Sequence, residues 1–328
     1  MELRTTFSIP PSERKITYSG KVMFIGSCFA TSIGRQFETG HLPVMINPSG
    51  TVYNPVSVLN TLDGLAGGRK FTLEDLYNHK GTWISFSHYT DFSSEDPGHL
   101  LERINTRSEE AAEFLAGAGF LFVTFGTARV YRWKRTGAIV SNCHKVSASE
   151  FDRELLKPGE IVSLWTRVLD RLQSDYPQLR IVFTISPVRH WKDGAHGNQV
   201  SKSVLFLAVE ELLGHPSRPG YFPAYELLMD DLRDYRFYDE DMLHPSSPAV
   251  SYIWDAFSDC YFDNNTRSLW KEISGISKAM SHRLKKSEGE SVRKFAVTTI
   301  EKIDSLVTRV PGLDLEKEKM YFLSLLES

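Results

Sequence analysis

Residues 22–27 read Val-Met-Phe-Ile-Gly-Ser, and Ser27 is followed by Cys28, Phe29 and Ala30. A short buried strand that turns straight into a helix leaves such a serine at the strand's carboxyl end. There it stands beside helix N–H groups that favour developing negative charge. Its hydroxyl can serve as a nucleophile, or it can cap the helix, a common role for serine. A second group lies far downstream, where Asp241 precedes His244 by three residues and Pro245 follows. A carboxylate so placed can hold one imidazole nitrogen and leave the other to take a proton from a nucleophile. The plainer reading is a solvated acidic loop, Asp239-Glu240-Asp241, leading into a helix. Together, Ser27, Asp241 and His244 point to acyl transfer through a nucleophilic serine. Cys28 competes as nucleophile because a thiol is the more reactive group at neutral pH. One helical position turns its side chain by about 100°, which favours Ser27.

The elements that must position these residues alternate between buried strands and helices. Strands are expected at 22–27, 44–47, 120–127 and 180–186, and a hairpin around Thr136 and Gly137. Helices are expected at 29–38, after Asn54-Pro55, and at 102–116, 160–176, 198–213, 224–232 and 245–262. Pro245 is expected in the first turn of the last of these, where its missing N–H costs nothing. This alternation implies an α/β fold, a three-layer α/β/α sandwich around a mainly parallel sheet. Functional loops of such sheets lie at the strand carboxyl ends. Residues 64–98 read as an insertion with short strands. Beyond residue 263 the strand candidates stop. Charged helical patterns at 270–286 and 292–310 make residues 264–328 a helical C-terminal extension to a domain spanning residues 1–263.

Composition narrows the function classes. The chain has 328 residues, 41% hydrophobic and 24% charged, ordinary values for a globular protein. With 38 basic and 41 acidic residues the formal charge is −3, so no broad nucleic-acid footprint is expected. Cys28, Cys143 and Cys260 lie far apart without a C-x-x-C pair, which argues against a disulfide framework or structural zinc. The low count fits a reducing compartment, and the N-terminal residues lack an apolar signal core, so a cytoplasmic location without membrane attachment is expected. No run of eighteen apolar residues occurs. His190, Asp193 and His196 do not have zincin spacing and, with Gly194 and Gly197, read as a mobile loop; residues 64–70 lack a phosphate-loop pattern. Neither a metal nor a cofactor is expected.

The order Ser, Asp, His, with the last two adjacent near the end of the α/β region, resembles the SGNH (GDSL-like) hydrolase superfamily. The run Gly26-Ser27-Cys28-Phe29-Ala30 is the signature of the GSCFA family within it. Further segments resembling that family are Asn47-Pro48-Ser49-Gly50, Tyr53-Asn54-Pro55, Phe125-Gly126-Thr127-Ala128, Asn142-Cys143-His144-Lys145, Ser186-Pro187-Val188-Arg189-His190 and residues 241–245. The resemblance implies an SGNH hydrolase-like, flavodoxin-like fold. It also implies a serine esterase acting on small acyl esters, such as O-acetyl groups on carbohydrate, with Ser27 as nucleophile, His244 as base and Asp241 as its orienter. An O-acyltransferase using the same site, or a carbohydrate- or partner-binding protein on the same fold, are the alternatives. The superfamily's oxyanion donors map to the Ser27 N–H and to Gly50. The third departs from the pattern, since Ala128 stands where Asn is expected, which leaves the Thr127 hydroxyl or the Asn142 amide. His144, His190, Arg189 and Tyr53 are the substrate-binding expectations. No metal ligand is implied.

Overall fold

In a computed structural model of the chain, residues 5–281 and 289–327 are described. Five parallel strands form the central sheet: β1 (Lys21–Gly26), β2 (Val44–Ile46), β6 (Ala118–Phe125), β10 (Arg180–Ile185) and β11 (Gly220–Tyr221). Their order is β11-β10-β6-β1-β2. Numbered along the chain this is 2-1-3-4-5, the doubly wound order of flavodoxin-like sheets, with its switch point between β1 and β6.

Alternation along the strands separates two cores, as the period of two requires. Met23 and Ile25 of β1 and Leu121, Val123 and Phe125 of β6 pack against α2 (Pro55–Ala66), α3 (Pro97–Ala116), α4 (Pro158–Asp175) and α5 (Gly194–Leu213). Val22, Phe24, Phe120 and Phe122 face the other way. They pack on α1 (Cys28–Thr39), on the turn formed by α6 (Ala224–Glu226) and Leu227–Leu232, and on α7 (Ser247–Tyr261). Helices therefore cover both faces, and the expected three-layer α/β sandwich is observed.

Two small antiparallel sheets rise over the strand carboxyl ends. One joins β3 (Tyr77–His79), β4 (Thr82–Ile84) and β5 (Ser93–Ser94); the other joins β7 (Arg129–Trp133), β8 (Ile139–Val140) and β9 (Phe151–Leu155). Ile84, Val140, Val146 and Phe151 form a shared core between them.

At the C-terminus, α8 (Asn264–Ser281), α9 (Gly289–Arg309) and α10 (Glu316–Glu327) enclose a core of their own around Ile273, Ile303, Leu306 and Phe322. The expected helix at 270–286 starts earlier, at Asn264, and residues 282–286 of that expectation lie outside the described residues. No helix among the described residues is long and apolar enough to cross a membrane.

Several boundaries differ for local reasons. Helix α3 begins at Pro97 because Asp96 Oδ1 accepts the N–H groups of Gly98 and His99 at 2.7 and 3.0 Å. Helix α7 begins at Ser247, so Pro248 rather than Pro245 occupies its first turn. The expected helix at 224–232 is three α residues followed by a π turn, stopped by Arg233 at φ 34°. Helix α5 begins at Gly194, so His196 and Gly197 lie within a helix rather than a mobile loop.

Candidate functional site

Gly26 closes β1 with a backbone only glycine tolerates. Its φ is +142°, and a Cβ there would stand 2.1 Å from the Thr124 carbonyl oxygen on the neighbouring strand. Asn47, at the end of β2, ties the turn down: its Oδ1 accepts the Gly26 N–H at 2.8 Å and its Nδ2 donates to Thr31 Oγ1 at 2.9 Å. Ser27 takes the N-cap position of α1, yet its side chain makes no capping bond. Its hydroxyl is buried and has no hydrogen-bond partner among the described residues. A buried orphan hydroxyl at the switch point of a doubly wound sheet requires an explanation.

The floor of the site follows β6. The N–H groups of Gly126 and Thr127 both donate to the Tyr53 carbonyl, at 2.7 and 3.1 Å. Gly126 is pinched closely: a Cβ on it would lie 3.1 Å from His190 Nε2 and 3.3 Å from Ser27 Cβ. Beneath it, α5 supplies three buried polar side chains. Lys202 Nζ donates to the carbonyls of Gly126 and Ser186, at 2.7 and 2.6 Å, bridging the ends of β6 and β10. Burial pulls the Lys202 ammonium down to about 7. Ser201 Oγ accepts the Ala128 N–H at 2.8 Å and shares a hydrogen bond with Thr127 Oγ1 at 3.0 Å. Asn198 Oδ1 accepts the His190 N–H at 2.9 Å. Burial, with the charges of Lys202, Arg153 and His244 adding to it, lowers His190 to about 4, so its imidazole is neutral at pH 7.

His244 arrives from the other side, on the turn before α7. Its Nδ1 lies 2.5 Å from Asp241 Oδ2, while Asp241 Oδ1 accepts the N–H groups of Leu243 and His244, each at 2.9 Å. The His244 backbone bond, then its side-chain bond and the Leu243 N–H, hold the Asp241 carboxyl at about 2. It is ionised at neutral pH. A carboxylate on Nδ1 fixes the ring and leaves Nε2 for a partner. Ser27, Cys28, Tyr53, Thr127, His190 and His244 line one cleft of about 600 Å³.

Residues 21–257 match the family model described as the GSCFA family, and residues 273–328 match the C-terminal domain of GSCFA domain proteins. This chain belongs to the GSCFA family. No curated protein matches it. Solved structures similar to this GSCFA chain include a protein described as a candidate platelet activating factor from Streptococcus pneumonia, 13% identical over 73% of this chain and 83% of that one, with a TM-score of 0.36. A carbohydrate esterase family 3 protein from Talaromyces cellulolyticus is 8% identical over 77% and 99% of the two chains, with a TM-score of 0.35. A candidate GDSL-like lipase from Parabacteroides merdae is 12% identical over 81% and 99%, with a TM-score of 0.34.

In this GSCFA chain the residues singled out from sequence divide into two sets. Ser27, Tyr53, Thr127, Asn142, Arg189, His190 and His244 all line the cleft, with Asp241 directly behind His244. Gly50 and His144 do not. Gly50, at φ +76°, donates its N–H to Asn47 O at 2.8 Å and packs beneath Tyr89. His144 is buried in the wall, its Nε2 at 2.8 and 3.0 Å from the carbonyls of Ser85 and His88, and burial lowers its pKa. It fastens the inserted sheet rather than facing the cleft.

The expected oxyanion donors are largely engaged elsewhere. The Ser27 N–H donates to Thr124 O at 3.1 Å. Thr127 Oγ1 is held by Ser201 and accepts the Arg129 N–H at 3.1 Å. Asn142 Nδ2 donates to Thr90 Oγ1 at 3.2 Å while its Oδ1 accepts the His144 N–H. Cys28, expected to turn away from Ser27, reaches the same cleft. Burial raises its thiol pKa and takes Cys143 to about 11, so neither is a ready thiolate at neutral pH. Asn198, Ser201 and Lys202 were not foreseen. Their signal was three polar side chains at i, i+3 and i+4, on the side of α5 that also carries Leu205 and Leu212. Among the described residues no cluster of His, Cys, Asp or Glu has the makings of a metal site.

Proposed function

We propose that this GSCFA chain is a serine ester hydrolase. The observation that carries the reading is the unpartnered, buried Ser27 hydroxyl in a cleft that also holds a carboxylate-anchored His244. In this reading Ser27 Oγ attacks an ester carbonyl and His244 Nε2 takes its proton. Asp241 keeps Nδ1 protonated and stabilises the imidazolium. His244 returns the proton to the departing alcohol, leaving an acyl-enzyme. Water, deprotonated by the same nitrogen, then releases the acid and frees Ser27. With the Ser27 amide engaged by Thr124, the oxyanion donor is the N–H of the neutral His190 imidazole, assisted by the positive end of α1. The substrates are small acyl esters, O-acetyl groups on carbohydrate among them, and an alcohol in place of water makes the same site an acyltransferase.

One observation favours a second reading, ligand binding without turnover: the amides of Ser27 and Gly50, which the superfamily pattern uses as donors, are both tied into the fold. A panel of acyl esters of increasing chain length, with and without a carbohydrate acceptor, separates the readings. Release of free acid, fastest for short chains, is the expected result. Acyl-carbohydrate as the main product would make the protein a transferase. Binding of esters with no turnover of any would overturn the catalytic reading.

A further inference from the structure

The charge of the cleft is opposite to that of the molecule. The whole chain carries a formal charge of −3, yet Arg129, Lys145, Arg189 and Lys192 line the cleft and no Asp or Glu does. The four cations are not equally committed. Arg129 lies 3.5 Å from buried Asp193, which Arg153 also contacts. Lys192 donates to the Tyr131 hydroxyl at 3.0 Å, a neutral partner that leaves its charge uncompensated. Arg189 and Lys145 have no carboxylate within ion-pair distance among the described residues.

Arg189 is the best placed of them. It sits between buried Val188 and half-buried His190, whose N–H is anchored to Asn198 Oδ1, so its backbone is held just beyond the carboxyl end of β10. It also lines a second groove of about 620 Å³, where Asp234 and Asp241 are lining residues too, and the exposed Trp191 indole is common to both. A guanidinium at the junction of two grooves, with its charge unspent and a flat apolar surface beside it, is suited to a carboxylate or phosphate on a bulky ligand.

We infer that the cleft takes an ester carrying a negative charge close to the bond that is cleaved, with Arg189 as the contact that selects it. The inference rests on the ester-hydrolase reading, and its chemistry allows the anion to lie on the acyl side or on the alcohol side.

The test uses matched esters. 4-Acetoxybenzoate carries the anion on the alcohol side and 4-acetoxybenzamide is its neutral twin; 4-nitrophenyl hemisuccinate carries it on the acyl side and 4-nitrophenyl butyrate is neutral. Each kcat/KM is divided by the second-order hydroxide rate constant of the same ester, which leaves out the attack of the succinate carboxylate on its own ester. The anionic member of one pair is expected to be favoured by about tenfold or more, and the preference to shrink at least about threefold when salt is raised from about 20 to about 500 mM. In Arg189→Gln the preference falls to within about threefold of unity; as a ratio on one sample, it does not depend on how much of the variant is folded. Which pair responds tells the acyl side from the alcohol side. Ratios near one for both pairs in the full chain, with all four esters turned over, would overturn the charge inference and leave the esterase reading intact. If nothing is turned over, calorimetric binding of 4-acetoxybenzoate and 4-acetoxybenzamide to Ser27→Ala decides: tighter, salt-sensitive binding of the anion supports the inference, and equal or absent binding overturns it.

Discussion

Ser27, Asp241 and His244 could be singled out as candidates because each depends on local sequence. A serine at the end of an apolar run and a carboxylate three residues before a histidine are visible without a fold. Replacing His244 by Ala is therefore expected to lower kcat for a short acyl ester by about 10³-fold or more, and near-normal turnover would remove it as the base. The support beneath the site was less visible, because its residues meet only through the sheet. Lys202 bridges two strand ends from a helix packed behind them. Lys202→Met keeps the apolar stem and orphans two carbonyls, so chemical denaturation should show a loss of about 2–4 kcal/mol. His190 is the other such residue. Its folded pKa of about 4 lies below the usual 6.5, so between these values the unfolded chain binds more protons. Its contribution is fully present above about pH 6.5 and is lost as pH falls towards about 4. A thermal-unfolding series over that range should fall less steeply in His190→Gln than in the unaltered chain, and parallel curves would contradict the assignment.

Among the elements, the apolar strands of the central sheet and most helices were readable, the charged C-terminal ones included, whereas β9 and β11 were not. Strand β9 reads Phe-Asp-Arg-Glu-Leu, which lacks an apolar run; it pairs with β7 along an edge where Arg132 binds Glu154 through two nitrogens, at 2.8 and 2.9 Å. Strand β11 is two residues long and owes its place to β10 beside it. The turn after β1 is the element on which the site depends, and its glycine can be tested. Gly26→Ala adds a collision with Thr124 O to a strained φ, at an expected cost of about 3 kcal/mol or more. Gly137→Ala, at φ +71° in the β7–β8 turn with nothing within 4 Å of the added carbon, should cost only about 1 kcal/mol. Equal losses in the two variants would mean that packing at the elbow is not what fixes Ser27.

Across the whole molecule, the strand order brings Ser27 and Gly126 side by side at the switch point although nearly a hundred residues separate them. The alternation of strands and helices foretold the layers; the order of the strands followed only from the family resemblance, not from the alternation itself. The C-terminal helices meet α1 and α7, on one face of that sheet, at Trp270. Its indole N–H donates to Gln36 O, near the carboxyl end of α1, at 2.8 Å, and its ring lies tilted with its centroid 4.9 Å from that of Trp254 on α7. Trp270→Ala is expected to destabilise the chain by about 3–5 kcal/mol, measured by denaturant unfolding, which would make the extension part of the helix layer that supports Ser27. The central claim, that this fold activates Ser27, is tested most directly by a fluorophosphonate probe with the labelled peptide identified by mass spectrometry. Label on Ser27, lost in Ser27→Ala, is the expected result. A folded chain that takes no label, or label that survives Ser27→Ala and is lost in Cys28→Ala, would contradict it.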